Sequence, residues 1–211
     1  MNLGGSGVEF PVLALVFWLV VPVVAFFIGG INPASIFARL LGKDITQGSG
    51  NPGATNAGRV LGRKWGVAVG VLDVLKGALP VWVAAALLGV GTAYLTGIAV
   101  VLGHVFSPYL RGRGGKGVAT TLGAIFAVHP WYAVALVVVF VAVVAVSRWV
   151  ALGSLAAAFA MVVGGVLAAV GWLPGAYGWG TALWAFALGG IVIARHRDNV
   201  VERWRARRLP G

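Results

Sequence analysis

A chain of 211 residues with 60% hydrophobic and only 10% charged residues, at a mean hydropathy of +0.95, is too apolar to be a water-soluble domain. Sixteen Lys and Arg against five Asp and Glu give a net charge of +11. These bases cluster at the ends of apolar runs, so the expected partners are anionic lipid head groups and phosphorylated small molecules, with no nucleic acid. Cysteine is absent, which excludes disulfides, thiolate metal sites and a thiol nucleophile.

Taken in chain order, glycine, proline and charge divide the apolar runs into seven predicted spans, near 11–29, 66–89, 92–110, 118–129, 131–147, 151–171 and 180–194. No basic residue precedes Arg39, so the first run reads as a retained span and not as a secretory signal. The fourth run is short: at 1.5 Å per residue it reaches only about 18 Å, which requires tilt, burial or a re-entrant path.

With seven spans, Lys43, Arg59, Arg63, Lys64, Arg111, Arg113, Lys116, Arg148 and the tail after Ala194 share one side, while the ends near Gly91, His129–Pro130 and 171–180 carry no Lys or Arg. The positive-inside rule makes the basic side cytoplasmic, with the N-terminus outside and the C-terminus cytoplasmic. The predicted fold is a single-domain, all-α integral membrane protein, a seven-helix bundle with a short fourth span. Thirty-three glycines permit close helix crossings, and the nine tryptophans read mostly as anchors at the membrane boundaries.

Three polar segments fall on the basic face. The first is KDITQGSGNPGATNAGRVLGRK, from Lys43 to Lys64. Its glycines can expose consecutive amide N–H groups, Ser49, Asn51, Thr55 and Asn56 add neutral donors, and Arg59 adds a fixed positive fork, which together suit an oxyanion. A plain solvated turn needs fewer residues, because ordinary connectors run to about two to eight.

The second is GHVFSPYLRGRGGKGVATT, from Gly103 to Thr121. Gly114, Gly115, Lys116 and Gly117 resemble a phosphate-cradling loop, and a helix starting near Val118, with Thr120 in its first turn, would aim its positive end at the anion. It is not a nucleotide P-loop: Leu110 stands where the first glycine belongs, and Gly117 where the magnesium-binding hydroxyl belongs.

The third is ARHRDNVVERWRARR, from Ala194 to Arg208. Arg203, Arg205, Arg207 and Arg208 read as a lipid-facing basic tail, whereas His196 and Asn199, three residues apart, share a helical face that can point into the bundle. Within the spans, Asp73 and Lys76 are also three residues apart, as a pathway or site element or as a mutually paired structural bridge. His104 is either a core histidine or a site residue, and His129 is expected at the outer boundary.

A catalytic metal is not expected, since HExxH and paired histidines with carboxylates are missing; so are a G-x-S-x-G elbow and the His-x4-Asp motif of thioester-dependent acyltransferases. The inventory is a set of oxyanion donors beneath an apolar helical body. A transporter of a phosphorylated metabolite is the alternative, with Asp73 and Lys76 as pathway residues, although the polar groups gather on one side and not at the midplane.

GSGNPGATN, then GH with GGKGVAT, then HRDN after the last span resemble in order and spacing the three motifs of the bacterial acyl-phosphate:glycerol-3-phosphate acyltransferases, the PlsY family. The resemblance covers essentially the whole chain. It implies a multi-pass enzyme of the bacterial cytoplasmic (inner) membrane, with its active site on the cytoplasmic side. It further implies transfer of an acyl chain from acyl phosphate to the sn-1 hydroxyl of glycerol 3-phosphate, giving lysophosphatidic acid and phosphate in phospholipid biosynthesis, without cofactor or obligate protein partner.

By motif position, the resemblance assigns Ser49, Arg59, Lys116, His196 and Asn199 to the catalytic set. Asn51, Thr55, Asn56, His104, Gly114, Gly115, Gly117 and Thr120 bind substrate, with Asp73, Lys76 and Asp198 behind them. Three positions depart from the family pattern. Thr46 stands in place of an arginine and one residue is missing before GSGN, Asp198 replaces a glutamate, and Gly112–Arg113 replaces Phe-Lys.

Overall fold

The computed structural model describes residues 9–173, 175–176 and 178–206. Arg207 and Arg208 of the expected basic tail, and the extreme N-terminus expected outside, lie beyond the described residues. Regular structure among the described residues is helical: α1 Glu9–Gly30, α2 Pro33–Leu40, α3 Ala54–Val60, α4 Arg63–Leu88, α5 Val90–Val105, a 3-10 turn Pro108–Leu110, α6 Val118–Val128, α7 Pro130–Ser147, α8 Val150–Ala169, α9 Trp179–Arg195 and α10 Arg197–Ala206.

The seven predicted spans fall on α1, α4, α5, α6, α7, α8 and α9. Five stretches of the described chain are long and apolar enough to cross a membrane: Leu15–Leu40, Arg63–Leu88, Val90–Leu110, Pro130–Ser147 and Val150–Ala169. Exposed Leu, Val, Phe and Trp side chains on α1, α4 and α7 form an outer surface suited to lipid. The chain is a multi-pass membrane protein.

The helix predicted over 92–110 stops at Val105, because Pro108 has no N–H to continue the ladder and Ser107 turns its hydroxyl to the carbonyl of Gly30, 2.6 Å away. The long first polar segment contains a helix of its own, α3. Ahead of it, α1 breaks at Ile31–Asn32. Asn32 caps α2 by accepting from the Ser35 N–H at 2.8 Å, and its amide donates to Pro52 O at 2.8 Å, which ties the break to the first loop.

Glycine sets how closely the helices cross. A Cβ on Gly103 of α5 would come within 1.9 Å of the Phe26 carbonyl oxygen of α1, and one on Gly123 of α6 within 2.0 Å of Val74 O of α4. These are backbone-to-backbone contacts of the kind small residues allow in lipid.

The same crossing accounts for the short α6. Gly77 lies against the Thr120 backbone, fourteen residues into α4 but only two past the start of α6. At 1.5 Å per residue, that twelve-residue difference starts α6 about 18 Å further along the bundle than α4. The loop ahead of α6 descends into the protein, and the shortness of the helix is the depth of that loop.

On the far side, His129 stands between α6 and α7 and is buried: its Nε2 lies 2.8 Å from the Tyr94 hydroxyl, which is 2.6 Å from the Thr181 hydroxyl. Trp184 stacks on Tyr94 with ring centroids 4.6 Å apart and is buried in the core, so it is not a boundary anchor. Both side chains find their polar or aromatic partners on neighbouring helices, a pairing that spacing along one helix does not reveal.

Candidate active site

The ends of α5, α7 and α9 and the beginnings of α6 and α8 surround an open cavity of about 1240 Å³, including its solvent-filled mouth. The first polar segment forms one wall. Asn56, buried at the third position of α3, accepts the Ser49 N–H at 2.8 Å and donates to the carbonyls of Ile45 at 2.7 Å and Gln47 at 2.9 Å. Its amide is thus used to hold the loop. Ser49, Asn51, Thr55 and Arg59 line the cavity together with it.

Just outside this wall, Thr46 closes a local turn. Its N–H and hydroxyl donate to Asp44 Oδ1 at 2.9 and 2.8 Å, and they hold the Asp44 carboxyl below the usual carboxylate range. Thr46 therefore serves the turn.

The second wall is the descending loop. Gly114 N–H donates to Val105 O at 3.0 Å and Gly115 N–H to His104 O at 3.1 Å, so the loop is pinned to the end of α5. Gly117 then turns with φ +83°, which an L side chain rarely adopts, and α6 starts without a side-chain cap. Lys116, half-buried, donates a hydrogen bond from Nζ to Asn199 Oδ1. Burial lowers the pKa of Lys116; Glu202 and Asp198 counter that effect, and Arg195 adds to it.

The third wall comes from the end of α9. His196 is buried, and its Nδ1 pairs with Val192 O at 2.8 Å. Burial pushes its pKa down, which favours the neutral ring with Nε2 available as an acceptor. His196 and Asn199 both line the cavity, as their spacing predicts.

Beneath the cavity, Lys76 Nζ lies 2.8 Å from Asp73 Oδ1 and donates to Ile31 O at 2.7 Å. Asp73 Oδ1 is also 3.5 Å from His104 Nδ1. Asp73 and His104 reach the cavity wall, whereas Lys76, Gly114, Gly115, Thr120 and Asp198 are not brought to it. Thr120 is fully buried against α4, and Asp198 is exposed on α10.

A fourth wall escapes the motif reading. The α7–α8 turn contributes Arg148, Trp149, Val150, Ala151 and Ser154, and α7 adds Phe140. Arg148 adopts φ +56°, uncommon for a residue with a side chain, and Arg203 of α10 lies over the Trp149 ring at 5.4 Å. The available signal was a lone arginine at a turn that has no glycine or proline to make it.

Next to this polar space lies a smaller, open apolar cleft of about 420 Å³, the open space at its mouth included, between α6, α7 and α8. It shares Val118, Leu122, Phe140 and Ser154 with the polar one, and Met161, Ala158 and Ile125 line it further in.

A family model described as glycerol-3-phosphate acyltransferase matches residues 19–206, which take in all four walls. The chain belongs to the glycerol-3-phosphate acyltransferase family. Relatives in that family include the glycerol-3-phosphate acyltransferase of Aquifex aeolicus, 37% identical over 84% of this chain and 91% of the relative, and that of Geobacter sulfurreducens, 40% identical over 86% and 91%. Two crystal structures of PlsY (YgiH), an integral membrane glycerol 3-phosphate acyltransferase, share the fold. The glycerol 3-phosphate form has a TM-score of 0.83 at 35% identity, covering 92% of this chain and 95% of that one. The lysophosphatidic acid form has a TM-score of 0.81 at 36% identity, covering 90% and 93%.

Proposed function

We propose that this protein transfers an acyl chain from acyl phosphate to the sn-1 hydroxyl of glycerol 3-phosphate, releasing lysophosphatidic acid and phosphate for phospholipid biosynthesis. The observation that carries this reading is the junction of the two cavities. A donor whose phosphate sits on the loop before α6 can lay its acyl chain past Val118 and Leu122 into the apolar cavity, because these residues belong to both spaces. Arg59, Lys116 and Arg148 supply positive charge in the polar cavity for two phosphate-bearing substrates. Family membership, and relatives whose structures were solved in glycerol 3-phosphate and lysophosphatidic acid forms, support the acceptor and the product.

Acyl phosphate is a mixed anhydride with a good leaving group, so the site need only align the reactants and neutralise phosphate. The glycerol oxygen attacks the acyl carbonyl, the ester C–O bond forms, and the C–O bond to phosphate breaks. In this reading the hydroxyl proton passes to an oxygen of the donor phosphate. His196 Nε2 orients the acceptor hydroxyl, Lys116 and the α6 N–H groups hold the donor phosphate, and Ser49 with Arg59 holds glycerol 3-phosphate.

The bases around the cavity support a cytoplasmic site in a bacterial inner membrane, with α1, α4, α5, α6, α7, α8 and α9 as seven spans and the N-terminus outside. The decisive experiment mixes purified protein with acyl phosphate and radiolabelled glycerol 3-phosphate, without CoA or nucleotide. Labelled lysophosphatidate is expected; uptake into proteoliposomes with no product would make the protein a carrier instead.

A further inference from the structure

The buried Asp73 and His104 and the partly buried Lys76 have no part in the transfer as written, although ionisable groups among apolar helices are costly to keep. Their contacts run in one line toward the loop. Lys76 binds the broken end of α1 at Ile31 O and pairs with Asp73, and Asp73 faces His104 Nδ1. The His104 carbonyl then accepts the Gly115 N–H, and its ring lies so close that a Cβ on Gly115 would come within 2.2 Å of Nε2. Gly115 is not among the residues with positive φ, so its missing side chain provides space for the ring and not backbone freedom. One turn beyond Asp73, Gly77 rests on the Thr120 backbone, so the same stretch of α4 also seats the start of α6.

We propose that Asp73, Lys76 and His104 are positioning residues that fix the His104 ring against Gly115 and so set where Lys116 and the first N–H groups of α6 meet the donor phosphate. The proposal rests on reading this loop as the acyl-phosphate site. An ion pair that only fills a gap in the bundle could be exchanged for apolar residues of similar volume without loss, since such exchanges are often neutral or stabilising. A positioning pair could not, because Leu in place of Asp73 removes the carboxylate that faces Nδ1 at 3.5 Å.

The test is the paired replacement Asp73→Leu with Lys76→Met, assayed with acyl phosphate and glycerol 3-phosphate. The expected result is wild-type thermal stability in detergent with the KM for acyl phosphate raised about tenfold, a misplacement-sized effect, and the KM for glycerol 3-phosphate unchanged. Wild-type values for both constants, or equal rises in both, would overturn the proposal. If the paired variant does not fold, His104→Asn serves instead, since its amide keeps a donor toward Asp73 and removes the ring from Gly115. It should raise the donor KM alone and combine non-additively with Gly115→Ala, whereas independent, additive effects would refute the link. Wild-type protein that makes no lysophosphatidate from acyl phosphate would instead fail the functional reading itself.

Discussion

Lys116 and Asn199, 83 residues apart, are joined by a hydrogen bond from Nζ to Oδ1 that links two walls of the cavity. This bond fastens the loop before α6 to the helix after α9, and it directs an ammonium that has no carboxylate in direct contact among the described residues. Lys116→Ala should therefore lower kcat/KM by about 100-fold, the scale of losing a preorganised oxyanion donor. Steady-state assays in detergent check this, and Lys116→Arg should recover only part of the loss because its fork cannot repeat the single bond to Asn199.

His196 gives a pH prediction with a definite sign. Burial holds its folded-state pKa below the ordinary value of 6.5, so the folded protein binds fewer protons than the unfolded chain in that range. Its contribution to stability is complete above 6.5 and is lost as pH falls through the folded pKa. Thermal unfolding should show a decline on the acid side that is smaller in His196→Gln. Because the donor phosphate takes the proton in the proposed chemistry, the same variant should lose no more than about tenfold in kcat and keep the shape of the pH–rate profile.

Arg148 combines an uncommon backbone angle with a place on the cavity wall. Arg148→Gly should relieve the left-handed strain and raise stability by about 1 kcal/mol. It should also raise a substrate KM by about tenfold through loss of a charged contact. Opposite movements of melting temperature and KM are the signature to look for.

Ala158, buried on α8, lines the apolar cavity beside Met161. Ala158→Phe should fill its deeper part. The expected outcome is a fall of about tenfold in kcat/KM for long-chain acyl phosphates with short-chain donors spared, read by comparing donors of different length.

Gly103 and Gly190 make a paired test of packing. A methyl on Gly103 meets the α1 backbone at 1.9 Å, and backbone cannot swing aside, so Gly103→Ala should cost about 1–3 kcal/mol or more. Gly190 has nothing within 4 Å of the same position, so Gly190→Ala should be neutral or stabilising by about 0.5–1 kcal/mol. Unfolding in detergent distinguishes them.

The amino-acid sequence by itself determined the helical class, the placement of seven apolar helices and most of three cavity walls. Apolar run length and basic residues at run ends are local properties, and the motifs GSGNPGATN, GGKGVAT and HRDN keep their spacing whatever surrounds them. It also marked Asp73 and Lys76, because charge inside an apolar run is conspicuous in one dimension. Only the tertiary structure decided what these residues touch. It turned Asn56 inward to hold Ser49, laid His104 against Gly115, and buried His129 with Tyr94 and Thr181. It also brought Arg148 to the cavity and made α6 short by sinking its loop beside Gly77. The physical reason is that these outcomes depend on how closely helices far apart in the chain cross, and that distance is set by pairs of surfaces, which no single stretch of sequence displays.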